Sequence, residues 1–341
     1  MVDQRFFASR SDISLLDAFS AIDRPELAVR LSQEDQSRIL AGAGTVPFLQ
    51  DNELGFVADA AYMDAVSDCC HGIVLISRDA ELPSVPPESE CCFVRCDDPY
   101  QVFTLLLDFL YGDSVRLLGY CAETSPSVLG NGAHLAPNVF FGADVEVGDH
   151  VVIGPNCSIG RGVTIGHNVI IGDNVSIQCA HIGDNVVIHS GARIGAEGFG
   201  FLPRKSGPQK IPQLGRVILQ NGVEIGANTC VDRGTLDDTI VGENSKIDNL
   251  VQIGHNTKIG RNCQIAAKSG FAGSSEIGDN VLFGGRASIV NKAKLGDRCV
   301  VMACSIVSKS QKADTVLAGN PAVEVKQWRR MQAKMKMMGR E

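Results

Sequence analysis

Ile247-Asp-Asn-Leu-Val-Gln-Ile253-Gly-His-Asn-Thr-Lys-Ile259-Gly-Arg-Asn-Cys-Gln-Ile265 carries an isoleucine at every sixth position. The beat begins at Val241 and continues through Phe271, Ile277, Phe283, Ile289, Leu295 and Val301 to Val307. An earlier run goes from Leu129 through Leu135, Phe141, Val147 and Ile153 to Ile177. It slips by one residue, resumes at Ile182, Ile188 and Ile194, and restarts at Leu219, Ile225 and Val231. A helix repeats its apolar positions near 3.6 residues and a half-buried strand at two, so neither accounts for a beat of six. Short strands do, if each sends one aliphatic side chain inward and then turns a corner. Three such faces close a coil of 18 residues, and successive coils stack at about 4.8 Å through backbone hydrogen bonds. Gly, Asn and Asp fill the corners, as in Gly172-Asp-Asn174 and Gly278-Asp-Asn280, because they tolerate positive φ. The expected class is mainly β: a left-handed parallel β-helix of hexapeptide repeats.

The beat is absent before Leu118 and interrupted over residues 195–218, where Gly, Pro and Lys predict a loop ejected from one corner. Residues 1–117 read as a small α/β domain. Leu15–Ile22 and Val102–Leu110 are expected to be helical, and Gly72–Ile76 and Cys92–Val94 to be strands, with Pro83, Pro86 and Pro87 breaking the chain between them. The β-helix is expected over 118–318, and 319–341 as a basic, methionine-rich helix that starts after Pro321.

Glycine is abundant, at 36 of 341 residues, and aromatics make up 6%, which suits tight turns better than a bulky interior. A net charge of −8 argues against nucleic acid as the main partner. Residues 322–341 run against that trend, with six Lys or Arg against Glu324 and Glu341. No apolar run approaches the ~18 residues of a membrane span, and Met1–Arg10 lacks the apolar centre of a signal peptide. A cytoplasmic location is expected. The 12 cysteines then read as free thiols rather than disulfides. Their spacing gives no zinc motif, so no metal is expected.

A coil has no cleft of its own, so chemistry belongs on corners, ejected loops or contacts between chains. Among the seven histidines, His255 can be placed by register. It follows Ile253 by two positions, as Gly273 follows Phe271, and the two are one coil of 18 apart. Asp248 follows the inward Ile247 on the preceding face, close enough, on this reading, to orient the imidazole. Lys292 is expected on the next coil, one place off register from Gly273. A histidine base, a carboxylate and an unobstructed glycine N–H make a constellation suited to acyl transfer.

Ala196-Glu-Gly-Phe-Gly-Phe201, Lys210-Ile-Pro-Gln-Leu-Gly-Arg216, Val231-Asp-Arg-Gly-Thr-Leu-Asp-Asp238 and Gln252-Ile-Gly-His-Asn256 together resemble the UDP-3-O-acylglucosamine N-acyltransferases of lipid A biosynthesis. The segment Phe56-Val-Ala-Asp-Ala-Ala-Tyr62 is similar to that family's uridine-binding segment. The resemblance implies transfer of a 3-hydroxyacyl group from acyl carrier protein to the 2-amine of the UDP-amino-sugar. His255 would be the general base, held by Asp248, with the Gly273 N–H as oxyanion donor. It implies Phe56 and Tyr62 stacked on uracil, with Asn256 and Ser274 near the sugar nucleotide. It further implies a homotrimer with sites between chains, no bound cofactor, and a basic tail facing the acidic carrier protein.

Two positions depart from the family pattern. Lys292 stands where a second histidine is usual, and a lysine offers no neutral acceptor. Asp59 stands where an asparagine is usual, and a carboxylate only accepts hydrogen bonds. Both departures suit an alternative, a diverged paralogue. It would act on another nucleotide amino sugar, or bind nucleotide sugar or carrier protein with little catalysis.

Overall fold

The computed structural model describes residues 2–84, 89–117, 121–319 and 323–338. Met1, Pro86, Pro87, Leu118, Asn320 and Pro321, and the boundaries read from them, lie outside the described residues. Near the N-terminus, helix α1 (Leu15–Ala21) starts at Ser14, whose hydroxyl accepts the Asp17 N–H. Strands β1 (Gly42–Ala43), β2 (Glu53–Val57), β3 (Ile73–Ser77) and β4 (Cys92–Cys96) form a parallel sheet in that order. Helix α2 (Pro99–Leu117) packs on it through Val102, Phe103, Leu106 and Leu110. The sequence reading found α1, α2 and the strands β3 and β4, with helix α2 running longer than expected at both ends, and it missed the short helix Gln33–Gln36. It also missed β2, because Glu53 and Gly55 break the apolar run there; both are buried.

From Val128 to Leu317 the chain winds as a parallel β-solenoid with three sheets of 9, 9 and 10 strands. Most strands are two residues long, and the second residue is the buried one. Gln252, Gly270 and Ser288 lie in register, as do Ile253, Phe271 and Ile289. The inward column is almost fully sequestered, with Phe271 and Phe283 in ring contact at 4.7 Å. The fold class is therefore the one expected from the beat of six. At the corners one residue per turn takes a left-handed backbone, including Asn244, Asn262 and Asn280 at φ 60°, 55° and 58°.

The core of the N-terminal sheet is continuous with that of the solenoid. Phe6 lies 5.3 Å from the His181 ring, and Arg216 bonds Asp238 through two nitrogens and Asp3 through a third. The interruption at 195–218 leaves the coil after Arg193–Glu197 as an antiparallel hairpin, pairing Phe201–Leu202 with Gln209–Lys210. Helix α3 (Val325–Met338) buries no residue. Among the described residues no helix is long and apolar enough to cross a membrane.

Candidate active site

His255 stands at the corner after the strand Gln252–Ile253, and its ring is held by what surrounds it. A Cβ on Gly273, one coil on, would come within 2.5 Å of His255 Nε2, so the absent side chain is the space the imidazole occupies. A Cβ on Gly198, from the hairpin, would come within 2.6 Å of His255 Cβ. The ejected segment therefore packs against this histidine.

The neighbouring asparagine fixes the tautomer. Asn256 Nδ2 donates to the Asp237 carbonyl at 3.1 Å, and Asn256 Oδ1 accepts the Thr235 N–H at 3.0 Å. That orientation turns Oδ1, an acceptor only, toward His255 Nδ1 at 2.9 Å. Nδ1 must then carry the proton, and Nε2 presents its lone pair at the Gly273 corner. Along other corners the equivalent N–H is accepted by a side chain one coil further on, as Arg261 N–H is by Asp279 and Asp279 N–H by Asp297. Above Gly273 the side chain is Asn291, and its Nδ2 donates to the Gly273 carbonyl instead. The Gly273 N–H meets no acceptor among the described residues. A lone pair and an unpaired backbone donor thus share one groove of about 810 Å³, walled by Phe199 and Phe201 of the hairpin.

Asp232 lines the same groove and was not picked out as a site residue from the sequence. Burial pushes its carboxyl above the ordinary range, against the opposing pull of the Gln252 amide at 2.8 Å and the charges of His255 and Arg233. The signal was its place directly after the inward Val231, one coil below the residue that follows Ile253, which the irregular coil around residues 195–218 obscures.

Asp248 is elsewhere, which corrects the expectation that it orients His255 within the chain. Its oxygens accept the Asn249 and Ala267 N–H groups at 2.7 and 3.0 Å, and it lines a different groove, of about 1250 Å³, with His189, Ile265 and Met302. The strands before Asp248 and before His255 belong to different sheets, so the chain turns a corner between them. Asn256, expected near the sugar nucleotide, is spent on the histidine. Ser274 donates its N–H to the His255 carbonyl at 2.8 Å and sits at φ 59°. Lys292 stacks in register with Asn256 and Ser274, at φ 61°, and it is Asn291 that stands over Gly273. The Lys292 ammonium lies 6.0 Å from the centre of the Tyr62 ring.

Phe56 is stacked on Tyr100 at 4.8 Å and 10°, with Phe103 at 4.7 Å, so one of its faces is already covered by the protein. Tyr62, on the 3-10 segment Ala60–Asp68, is 58% exposed, and Asp59 is exposed beside that segment. The N-terminal sheet is tied to this region by Arg204 on Asp98 at 2.6 Å and by Thr45 on Asp237 at 3.0 Å.

These features define a hexapeptide-repeat β-solenoid with a histidine-centred groove. The repeat described as "Bacterial transferase hexapeptide (six repeats)" matches residues 126–161, 150–179 and 238–273, and the "Hexapeptide repeat of succinyl-transferase" matches 276–309. The chain is 52% identical over 167 residues to the UDP-3-O-acylglucosamine N-acyltransferase of Rhizobium meliloti (strain 1021), covering 49% of this chain and 47% of that one. It is 63% identical over 99 residues to the protein of the same name from Sinorhizobium fredii (strain NBRC 101917 / NGR234), covering 29% and 28%. The matched stretches thus span less than half the length of either relative. Among solved structures, the UDP-N-acetylglucosamine acyltransferase from Campylobacter jejuni aligns over 61% of this chain and 85% of its own, with a TM-score of 0.49 and 22% identity.

Proposed function

We propose that the chain is an N-acyltransferase that moves a 3-hydroxyacyl group from acyl carrier protein to the 2-amine of UDP-3-O-acylglucosamine. One observation carries the reading: Nε2 of His255, the acceptor nitrogen in the tautomer that the Asn256 contact selects, points at the corner where the Gly273 N–H meets no acceptor among the described residues. The names of the two relatives supply the acceptor. As the amine nitrogen attacks the thioester carbonyl, Nε2 takes its proton. The carbonyl oxygen becomes an oxyanion that accepts from the Gly273 N–H. The intermediate collapses by breaking the carbon–sulfur bond, and the imidazolium returns the proton to the departing thiolate. No group beyond the chain's own residues is needed for these steps.

Tyr62 and the open side of Phe56 supply an aromatic platform for uracil, with Asp59 and Lys292 beside it. The working unit is a homotrimer in the cytoplasm with each groove closed by a neighbouring copy, and the basic helix α3 faces the carrier protein. Asp248 and His255 occupy different corners, so any pairing of the two joins adjacent copies. The test is His255→Ala. Transfer from acylated carrier protein should fall by at least 10³-fold, a magnitude typical of a lost general base together with its positioning, while the trimer stays folded. Near-normal turnover would reject the reading. A panel of UDP-amino-sugars, with and without a 3-O-acyl chain, identifies the acceptor by mass spectrometry.

A further inference from the structure

Away from the groove, at the opposite end of the Ala60–Asp68 segment from Tyr62, two thiols meet. Cys69 follows that segment and Cys91 precedes β4. The stretches 70–72 and 90–92 run side by side, with the Glu90 N–H on the Cys70 carbonyl at 2.8 Å and the Cys92 N–H on the Gly72 carbonyl at 2.9 Å. This ladder brings Cys91 Sγ to 3.4 Å from Cys69 Sγ. Both sulfurs converge on the His71 carbonyl, Cys69 at 3.2 Å and Cys91 at 3.0 Å. The Ser89 hydroxyl donates to the Cys69 carbonyl at 3.2 Å.

We propose that Cys69 and Cys91 are a reversible dithiol–disulfide pair, oxidised by exchange with a small-molecule disulfide such as oxidised glutathione. The two residues differ as an attacking and a resolving thiol should. Cys91 is partly exposed, and its hydrogen bond with Cys69, helped by Ser89, His71 and Arg38 against the opposing effect of burial, pulls its thiol down to about 6. Cys69 is buried, and the same hydrogen bond, together with burial, pushes its thiol up. The Cys91 thiolate attacks one sulfur of the reagent, expels a thiolate and forms a mixed disulfide. Cys69 Sγ then attacks Cys91 Sγ, releases the second thiolate, and its proton passes to a departing thiolate. Two protein thiols are oxidised and one disulfide is reduced to two thiols. Among the described residues no other pair of cysteines has this arrangement. Burial pushes Cys92 up to about 12 and Cys96 up to about 11, and the solenoid thiols Cys157 and Cys263 donate to the Gly172 and Gly278 carbonyls at 3.0 and 3.2 Å.

The test uses the full chain, reduced and then equilibrated with increasing oxidised glutathione, acid-quenched, alkylated, digested and mapped by mass spectrometry. The expected product is one peptide pair joined through Cys69 and Cys91, two hydrogens lighter, saturating before any other cysteine is blocked. Cys69→Ala should accumulate glutathione on Cys91, and Cys91→Ser should give neither bridge nor adduct at Cys69. A bridge through Cys70 or Cys92, a persistent glutathione adduct on wild-type Cys91, or full alkylation of both thiols overturns the proposal. Should Cys69→Ala fail to fold, the wild-type peptide map decides alone.

Discussion

At the residue scale the groove rests on an absence. A methyl group on Gly273 would sit where His255 Nε2 now lies, so Gly273→Ala must tilt the ring and leave its donor and acceptor misaligned. We expect kcat to fall by about 10²–10³, the range for loss of an oxyanion donor. Thermal stability should change little, because a side chain rather than backbone has to move. Steady-state kinetics beside a melting curve checks both. Asp232 gives a second expectation, with its sign set by protonation. Its carboxyl titrates above the ordinary range in the folded chain. Folded Asp232 therefore contributes stability at pH below the ordinary carboxylate range, and that contribution is lost as pH rises through the folded value. Asp232→Asn should melt higher than the parent near neutral pH, with the gain shrinking on acidification and vanishing below the ordinary carboxylate range, where the side chain is neutral both folded and unfolded. Melting curves across pH read the difference, and a gain that grew on acidification would contradict this account.

At the level of single turns, the three corners are not equivalent. One carries Asn244, Asn262 and Asn280, a residue type that, after glycine, is among those that best tolerate positive φ, followed by Arg298 at φ 56°. The next carries Leu250, Lys268, Arg286 and Cys304 at φ 58–63°, each held there by the winding rather than by its own preference. Such a residue costs about 1–2 kcal/mol in the left-handed region. Arg286→Asn should therefore raise the thermal midpoint, by about 1 kcal/mol of stability, and Asn280→Arg should lower it by a similar amount. Differential scanning calorimetry of the pair tests the idea, and equal midpoints would mean that side-chain contacts rather than backbone preference set corner stability. The beat of six made this architecture readable, because it records one buried residue per face and needs no knowledge of loops. The same arithmetic put His255 and Gly273 on one corner. It misjudged Asp248, since counting positions along a coil measures distance along the chain and ignores the bend between faces. Nor did it assign Asn256 to the imidazole, because that contact depends on an amide orientation set by Thr235 and Asp237, which lie on a turn outside the beat.

For the whole molecule, the separation of Asp248 from His255 becomes a statement about assembly. Within one chain the carboxylate is bonded to two backbone N–H groups at another corner and lines another groove. Helix α3 leaves Trp328, Met331 and Met335 exposed by 52%, 43% and 60%, an apolar stripe that a lone copy cannot cover. If copies associate so that the Asp248 corner of one faces the His255 corner of the next, each site draws its two residues from different chains, as a closed ring of identical head-to-tail contacts requires. Two inactive variants should then rescue each other. Co-expressed Asp248→Ala and His255→Ala chains would form rings in which, over the whole randomly mixed population, about a quarter of the interfaces join an intact histidine to an intact carboxylate. Activity should recover to roughly that share of the parent value, whereas simply combining the separately purified, non-exchanging proteins should recover none. If Asp248 instead serves its own chain's histidine through a rearrangement, every site in the mixed ring keeps one defect and the co-expressed protein stays inactive. If Asp248→Ala is fully active alone, the carboxylate has no part in the reaction, and its two backbone hydrogen bonds are its whole role.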